Sequence, residues 1–338
     1  MVKDYSSAKK GVFWAAVCAN RQIGRRFYKL RLEFSADAAR AFADFKPGQF
    51  AELDLSGTAL PSAETIPEDL LDTAGRNILL RRPFSFTDVT IEKNKTFAEL
   101  LYCIVGPATL RMTTLSAGDS LSVIGPLGNG FSVPDGKKTA LLVVGGMGVP
   151  PLLHLAKVLT ANSRATRLDV IAFAGAKTAQ ELPFESRLDE ISQQLGFSLP
   201  EFARYGIESL VATDDGSAGY HGFVTDCLAE WLNQSDLSTK DMVIYACGPE
   251  QMLARLAEIA KNKNIYCQLS MERRMACGIG LCQSCAVECH VSPVRDQKEK
   301  VSNGVSNSNE TVYKTCCQDG PVFDSKEVVF QPLLKDQD

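Results

Sequence analysis

The sequence predicts a β barrel plus α/β fold: an antiparallel barrel, then a domain with a parallel sheet, then a small C-terminal metal-binding domain. Three patterns support this fold class. They are short alternating strands in the first third, apolar runs separated by amphipathic helices in the middle, and a cysteine cluster near the C-terminus. We place the barrel at residues 11–136, the α/β domain at 137–267 and the cysteine-rich domain at 268–338.

The barrel prediction depends on strands with period-two alternation. From Phe27 to Phe34 polar and apolar side chains alternate, as a half-buried strand requires. A polar, Pro-containing stretch, Ser56–Asn77, interrupts the strands and is expected to be a surface insertion. The other predicted strands are separated by Gly, Pro and Asp turns, which is typical of a small antiparallel barrel: Gly48–Leu55, Ile78–Leu80, Leu100–Val105 and Ser120–Ile124.

The middle of the chain alternates between strands and helices, which predicts an open parallel α/β sheet. Helices are predicted at Pro151–Leu159 and Pro249–Lys261. The second has one apolar face, made of Met252, Leu253, Leu256, Ile259 and Ala260. The strands lack full alternation, as strands buried on both faces do: Leu141–Val144, Leu168–Ala174, Ser209–Ala212 and Met242–Ala246.

Composition and charge exclude several classes of function. The 338 residues are 45% hydrophobic and 22% charged, which suits a globular protein of two or three domains. A net charge of −4 gives no reason to expect nucleic acid or an acidic membrane as partner. The apolar stretch Val12–Ala19 is too short for a signal peptide, and no later stretch reaches about 18 apolar residues, so we expect a cytoplasmic protein without a membrane span.

The cysteines give the strongest chemical signal. Cys277, Cys282 and Cys285 have the C-x4-C-x2-C spacing of plant-type [2Fe–2S] ligation, and the pair Cys316/Cys317 would supply one more thiolate. This clustering favours a metal site over disulfides in a chain without an export signal. Gly278 and Gly280 suit a loop that turns sharply around a cluster. Zinc is the alternative occupant, because zinc sites also use C-x2-C, and Cys289 is a spare ligand candidate.

Three further motifs suit a dinucleotide. Arg82-Pro83-Phe84-Ser85 follows the predicted strand Ile78–Leu80, and an arginine fork binds phosphate oxygens while a serine hydroxyl could meet a flavin nitrogen. Gly145–Pro151 joins a strand to a helix, whose N-terminal amides favour phosphate. Cys247–Glu250 opens another helix at the carboxyl end of a strand, where ligands of such sheets bind. Taken singly, an ordinary turn or a buried structural cysteine explains each motif as well.

The three histidines, His154, His221 and His290, have no partner at the spacing of a catalytic triad or a metal site. We therefore expect no acid–base catalytic residue in this chain. Redox chemistry fits that expectation, because hydride transfer to or from a flavin needs mainly orientation and electrostatics from the protein.

The order of these motifs resembles the ferredoxin–NADP reductase-like flavoproteins. The sequences RRPFS, GPLGNGF, GGMGVPPL and CGPEQML follow one another, beginning at Arg81, Gly125, Gly145 and Cys247. The tail MERRMACGIGLCQSC with CQDGPVF narrows the resemblance to the electron-transfer subunits of the NAD-dependent, class 1B dihydroorotate dehydrogenases.

This resemblance implies an FAD-binding barrel, an NAD-binding α/β domain and a C-terminal [2Fe–2S] domain. Pro107 and Ala108 depart from the family's Gly-x-Gly-Thr stretch. For FAD it implies Arg82, Pro83, Phe84, Ser85, Gly106 and Thr109. For the nicotinamide nucleotide it implies Gly145, Gly146, Gly148, Cys247 and Gly248. The implied metal ligands are Cys277, Cys282, Cys285 and Cys317, the last because the family's fourth ligand stands two residues before Asp-Gly-Pro-Val-Phe.

The function implied by the resemblance belongs to pyrimidine biosynthesis. Electrons would pass from the FMN of a dihydroorotate dehydrogenase catalytic subunit through the cluster and FAD to NAD+, in a heterotetramer of two such pairs. No arginine follows Leu168–Ala174, but Lys177 is nearby, so the sequence favours NAD over NADP only slightly. The alternatives are the FAD and [2Fe–2S] subunit of a transhydrogenase or sulfide dehydrogenase, and a regulatory protein that binds zinc and nucleotide. Cys277 disfavours the transhydrogenase, whose subunits resemble this pattern with an aspartate as first ligand.

Overall fold

The computed structural model describes residues 10–92, 95–161, 168–184, 199–291 and 310–331. The sequence also predicts a loop at the polar stretch Asp296–Thr311, most of which lies outside these ranges. None of the described helices has the length and apolar character needed to cross a membrane.

The first part of the chain folds as the predicted antiparallel sheet. In the strand Phe27–Phe34, Leu30, Leu32 and Phe34 are buried, as the alternation predicts. A short helix, α1 (Ala36–Phe42), covers the sheet and stacks Phe42 on Phe34, with ring centroids 4.4 Å apart. The described strands are β1 (Gly11–Gln22), β2 (Phe27–Phe34), β3 (Phe50–Leu53), β4 (Arg82–Ser85), β5 (Asp88–Glu92), β6 (Lys95–Cys103) and β7 (Ser120–Leu127), in the order β4-β3-β7-β1-β2-β6-β5.

One predicted strand of this sheet is wrong. Residues 78–80 are not a strand, and Leu79 and Leu80 are exposed. The strand is Arg82–Ser85 instead, so the Arg-Pro-Phe-Ser motif forms β4 rather than following a strand. Its partner β3 ends at Leu53, opposite Arg82, which leaves residues 78–80 without a strand to pair with.

The predicted insertion between β3 and β4 is not entirely a surface feature. It contains two 3-10 turns (Ala63–Thr65 and Glu68–Leu70) and a single helical turn, α2 (Leu71–Ala74). Leu70 and Ala74 are buried against Ile104 and Leu110. The second of these lies on α3 (Pro107–Met112), so the insertion packs on the segment after β6.

The middle of the chain forms the predicted open α/β sheet. The predicted helices are confirmed as α4 (Val149–Thr160) and α7 (Glu250–Lys263); α5 (Pro200–Ala203) and α6 (Val224–Gln234) are also present. Leu253, Leu256, Ile259 and Ala260 of α7 are buried, as its apolar face predicts. The strands are β8 (Thr139–Gly145), β9 (Asp169–Ala176), β10 (Glu208–Thr213), β11 (Tyr220–His221), β12 (Met242–Cys247), β13 (Tyr266–Ser270) and β16 (Val322–Asp324), in the order β11-β10-β9-β8-β12-β13-β16.

Two central strands of this sheet create its ligand crevice. β8 and β12 are parallel neighbours, with Val144 opposite Cys247, but the chain leaves them in opposite directions, toward β9 and toward β13. Loops therefore diverge at the carboxyl ends of β8 and β12. In open α/β sheets, ligands bind at such a switch point.

The C-terminal segment is joined to both sheets. β14 (Ala286–His290) and β15 (Thr311–Thr315) form a separate antiparallel pair, whereas β16 adds antiparallel to β13. The side chain of Asn129, just after β7, makes two of these links. Its Nδ2 donates to the carbonyl of Asp319 at 2.7 Å, and its Oδ1 accepts from the backbone amide of Val322 at 2.9 Å. The GPLGNGF motif thus fixes the barrel to the chain that follows the cysteine cluster.

Candidate functional site

A cavity of about 910 Å³ lies between the two sheets. Its size suits a dinucleotide-sized ligand, because ligand pockets are commonly about 300–1,000 Å³. Most of the predicted binding residues meet there: Arg82, Pro83, Phe84, Ser85, Gly106, Thr109, Gly148, Cys247 and Gly248. Gly145 and Gly146 are not among the lining residues; they precede Gly148 at the end of β8.

Arg82 lies at the start of β4, on the wall of the cavity. Its guanidinium donates to the carbonyls of Leu80 at 2.7 Å and Arg81 at 3.1 Å. These bonds hold the side chain beside its own strand, half-buried at the cavity. A guanidinium held in this way offers its remaining N–H groups to a phosphate.

The turn Gly106–Thr109 also lines the cavity, but its polar groups are engaged locally. The Thr109 hydroxyl accepts from the amides of Val105 at 3.0 Å and Gly106 at 3.2 Å, and so caps α3. A phosphate near this turn would compete with those bonds.

Backbone approach at the switch point explains two predicted glycines. A Cβ on Gly148 would lie 2.0 Å from the carbonyl oxygen of Cys247, and one on Gly248 would lie 3.0 Å from the Cα of Gly145. The loops after β8 and β12 therefore touch through backbone alone. Burial raises the pKa of Cys247 to about 12, although a hydrogen bond with Ser270 opposes the rise, so this thiol lines the crevice as a neutral group.

Two pairs of predicted metal ligands make contact in the cysteine loop. The amide of Cys282 donates to the sulfur of Cys277 at 3.4 Å, and the amide of Cys317 donates to the sulfur of Cys285 at 3.4 Å. Gly278 and Gly280 have positive φ values of 65° and 87°, which the sharp loop requires. Amides directed at sulfur are the donors that stabilise thiolates around a cluster.

The adjacent cysteines Cys316 and Cys317 face different ways. The Cys316 thiol donates to the carbonyl of Met271 at 3.2 Å. The Cys317 sulfur instead contacts Cys285 and the backbone of Gly280. This arrangement favours Cys317 as the fourth ligand.

The acidity of the thiols differs with their surroundings. Hydrogen bonds from Ser284 and Cys277 lower the pKa of the exposed Cys282 thiol to about 6. Burial, with help from Cys285, raises the pKa of Cys317 to about 12. Cys317 would need the positive charge of a metal to ionise at neutral pH.

A [2Fe–2S] cluster fits this donor set better than a single zinc ion does. In the described part of the chain, no group of three or more His, Cys, Asp or Glu side chains is arranged to hold a metal ion, so the comparison depends on how the four thiolates pair. Zinc gathers four ligands around one ion, whereas a [2Fe–2S] cluster divides four thiolates between two irons. The contacting pairs Cys277/Cys282 and Cys285/Cys317 match that division.

Two features of the site were missed at the sequence level. Residues 270–275, just before Cys277, line the cavity, and among them Arg273 forms a bidentate ion pair with Glu250 at 2.8 and 2.9 Å. Arg273 lies in the MERRMACGIGLCQSC motif and Glu250 in the CGPEQML motif, and their opposite charges were the available signal. The other feature is Glu52 of β3, which is fully buried. A single carboxylate within the apolar run Phe50–Leu53 was the available signal.

Two family models match the chain. One is an oxidoreductase NAD-binding domain, over residues 142–258. The other is the iron–sulfur cluster binding domain of dihydroorotate dehydrogenase B, over residues 272–301. The first match contains β12 and most of β8, and the second begins at the segment that lines the cavity.

Curated relatives match over nearly the whole chain. A protein of Caldanaerobacter subterraneus subsp. tengcongensis is 34% identical over 94% of this chain and 98% of its own length. A protein of Bacillus caldolyticus is 35% identical over 93% of this chain and 96% of its own length. Both are named dihydroorotate dehydrogenase B (NAD(+)), electron transfer subunit.

Solved structures support the fold. A structure of the NADH-dependent reduced ferredoxin–NADP oxidoreductase has a TM-score of 0.63, 22% identity, and coverage of 93% of this chain and 89% of its own. A ferredoxin reductase of carbazole 1,9a-dioxygenase has a TM-score of 0.53 and 18% identity, over 76% of this chain and 67% of its own. At these identities the likeness concerns the fold alone.

Proposed function

The chain belongs to the family of dihydroorotate dehydrogenase B electron transfer subunits, and on this premise we propose that it carries electrons from a catalytic subunit's FMN, through [2Fe–2S] and FAD, to NAD+. One observation carries the proposal. The cavity between the two sheets is lined by the segment that leads directly into the cysteine loop, and by Pro321 just beyond Cys317. A flavin bound in this cavity and a cluster held by the cysteine loop would therefore adjoin within one chain.

The division of roles follows the walls of the cavity. We assign FAD to the barrel wall, with Arg82 on its pyrophosphate and Pro83, Phe84 and Ser85 along the flavin; Gly106 and Thr109 lie where the remainder of FAD would extend. The nicotinamide nucleotide is assigned to the switch point, at Gly145–Gly148 and Cys247–Gly248. In this proposal the domains keep the divisions 11–136, 137–267 and 268–338, except that β13 and β16 belong to the sheet of the second domain.

The acidic residues after β10 support NAD over NADP. The backbone amides of Asp214 and Asp215 donate to the carbonyls of Ala176 and Lys177, at 3.1 and 3.2 Å, which places these two acidic residues beside the end of β9. An additional phosphate on the ribose would meet negative charge there.

The chemistry divides between the bound groups and the chain. FAD, when bound, would convert single electrons from a [2Fe–2S] cluster into a hydride for NAD+. The chain's own part is to orient the rings across the cavity, keep Cys247 neutral beside them, and hold the cysteine loop against the barrel. The Arg273–Glu250 ion pair joins the cysteine segment to the start of α7.

The exposed side of the cysteine loop suits a partner subunit. Ile279 and Leu281 are 45% and 78% exposed, on either side of Gly280 and next to the exposed Cys282. We propose that this apolar loop docks on the FMN-containing catalytic subunit, in a cytoplasmic heterotetramer of two such pairs. Docking there would bring the partner's electrons to the cluster by the shortest path.

The decisive experiment is anaerobic purification with a dihydroorotate dehydrogenase catalytic subunit, followed by an assay of NAD+ reduction by dihydroorotate. We expect a coloured complex that contains flavin, iron and acid-labile sulfide, and NADH formation that needs both subunits. Activity with ferredoxin and NADPH alone would instead support a transhydrogenase. A colourless protein that binds zinc would reject the proposal.

A further inference from the structure

Glu52 occupies an unusual place between the barrel and the cysteine loop. It lies on β3, opposite Pro83 of β4 and Ile124 of β7. Its neighbours Ala51 and Leu53 are buried in the barrel core, so strand alternation directs Glu52 to the opposite face. That face would be solvent-exposed on a free sheet, yet Glu52 is 0% exposed.

The cysteine loop is what covers it. A Cβ added to Gly278 would lie 2.3 Å from Oε1 of Glu52 and 2.8 Å from its carboxyl carbon. The loop that carries Cys277 and Cys282 therefore rests on this carboxyl. No side chain fits at position 278 while Glu52 keeps its place.

The carboxyl of Glu52 has no hydrogen bond within the described residues to compensate for its burial, since neither of its oxygens has a hydrogen-bond partner there. Burial raises the pKa of Glu52 to about 7, against the opposing effect of Arg82 and Arg81. Unpaired buried carboxylates are costly, so the neutral form is the one that this site accommodates at low pH.

The charged groups around Glu52 come from one strand and its preceding residue. Arg82 is bonded to the Leu80 carbonyl at 2.7 Å, and Arg81 is paired with Asp54 at 3.5 Å. β7 faces Glu52 with Ile124 and the loop faces it with Gly278, neither of which is charged. A change of charge in the cysteine site would therefore act on Glu52 with little screening from water.

We propose that Glu52 takes up a proton when the adjoining iron–sulfur site gains an electron and releases it when the electron moves on. This inference rests on the proposed function, because it assumes the cluster. One electron enters from the partner's flavin, and one proton from solvent forms an O–H bond on the Glu52 carboxylate. When the electron passes to FAD, that O–H bond breaks and the proton returns to solvent, so charge is balanced in both directions.

The consequence is a reduction potential of the cluster that depends on pH. Uptake of one proton per electron changes the reduction equilibrium tenfold per pH unit, which corresponds to 59 mV for a one-electron couple. This slope applies above the pKa of Glu52 in the oxidised protein and below its pKa in the reduced protein. Outside that pH range the reduction potential of the cluster would no longer depend on the protonation of Glu52.

The test is a redox titration of the holoprotein, followed by the EPR signal of the reduced cluster, over roughly pH 6–10. We expect the reduction potential of the wild-type cluster to fall as pH rises, approaching a tenfold change in the reduction equilibrium per pH unit. In Glu52→Gln the potential should no longer depend on pH in this way. Glu33→Gln is the matched control, since Glu33 lies on β2 and pairs with Lys95 at 2.7 Å; it should keep the wild-type slope.

The outcomes separate this inference from the proposed function. A wild-type potential that does not change with pH, or a Glu52→Gln slope equal to that of wild type, would overturn the role of Glu52 while the cluster stands. If Glu52→Gln assembles no cluster, Glu52→Asp replaces it, and the slope should persist with a shifted window; an unshifted profile counts against the role. Wild-type protein without iron would overturn the proposed function itself.

Discussion

The backbone amide of Cys317 donates to the sulfur of Cys285 at 3.4 Å, although the two residues are 32 positions apart. This contact closes the cysteine loop from its far side. The neighbouring Cys316 turns toward Met271 instead. Two adjacent cysteines therefore have separable roles that substitution can distinguish.

We expect Cys317→Ser to lose the cluster and Cys316→Ser to retain it. Serine oxygen is a poor replacement for a thiolate on iron, whereas Cys316 makes only one hydrogen bond to a carbonyl. Iron and acid-labile sulfide per flavin, measured on anaerobically purified protein, provide the readout. The reverse pattern, with iron lost only from Cys316→Ser, would move the fourth ligand to Cys316.

Arg82→Ala should weaken FAD retention by about 10- to 150-fold, because a hydrogen bond to a charged group contributes about 1.5–3 kcal/mol. Arg82→Lys keeps the charge but loses the fork, so its effect should be intermediate. Flavin occupancy after extensive dialysis, and the Kd of re-added FAD, measure this. Equal Kd values for all three proteins would remove Arg82 from the flavin site.

Gly148→Ala should impair nucleotide binding and lower stability together. The new methyl group would meet the Cys247 carbonyl at 2.0 Å, so the loops after β8 and β12 must separate. We expect a fall of about 1–3 kcal/mol in the free energy of unfolding and a higher Kd for NADH. Gly75→Ala is the control, because its Cβ would meet nothing within 4 Å. Unaltered NADH binding in Gly148→Ala would argue that the nucleotide lies elsewhere.

Leu281→Glu should weaken co-purification with the catalytic subunit and leave flavin and iron content unchanged. Leu281 is 78% exposed on the cysteine loop, so a carboxylate there is tolerated by the free chain but costly in an apolar interface. Phe223→Glu is a matched substitution of another exposed apolar side chain, 62% exposed, just before α6. Loss of the complex in Phe223→Glu and its survival in Leu281→Glu would place the interface near α6.

The sequence predicts those parts of the fold that have a regular period or fixed spacing. β2 begins and ends at the predicted residues, and the ends of α4 and α7 differ from the predicted ones by no more than about two residues, because buried faces impose their periodicity on the chain. The strand Ile78–Leu80 failed because a short apolar run does not reveal whether a partner strand is within reach. β3 ends opposite Arg82, and that depends on tertiary pairing.

The candidate site divides in the same way. Local spacing predicts three cysteine ligands, Cys277, Cys282 and Cys285, and the two glycines of the loop. The positive φ values of Gly278 and Gly280 agree with this prediction. Glu52 stands out as a carboxylate in an apolar run, but its burial could not be predicted, because it comes from a loop more than two hundred positions later that covers an outward-facing strand position. The choice between Cys316 and Cys317 likewise depends on side-chain direction at a turn, which spacing does not determine.

The burial of Glu52 also predicts how stability changes with pH. Its pKa is raised from 4.5 to about 7 in the folded protein, so between these values the folded state binds more protons than the unfolded state. Stability from this group is therefore complete below about pH 4.5 and is lost as pH rises through about 7, by up to about 3 kcal/mol. Glu52→Gln removes the titration, so the wild type should lose stability relative to this variant as pH rises. Thermal unfolding of both holoproteins at matched pH values measures the difference in stability between them, and taking this difference cancels the contributions of other titrating groups. A difference in stability that does not change with pH would mean that Glu52 is ionised or solvated in the folded protein.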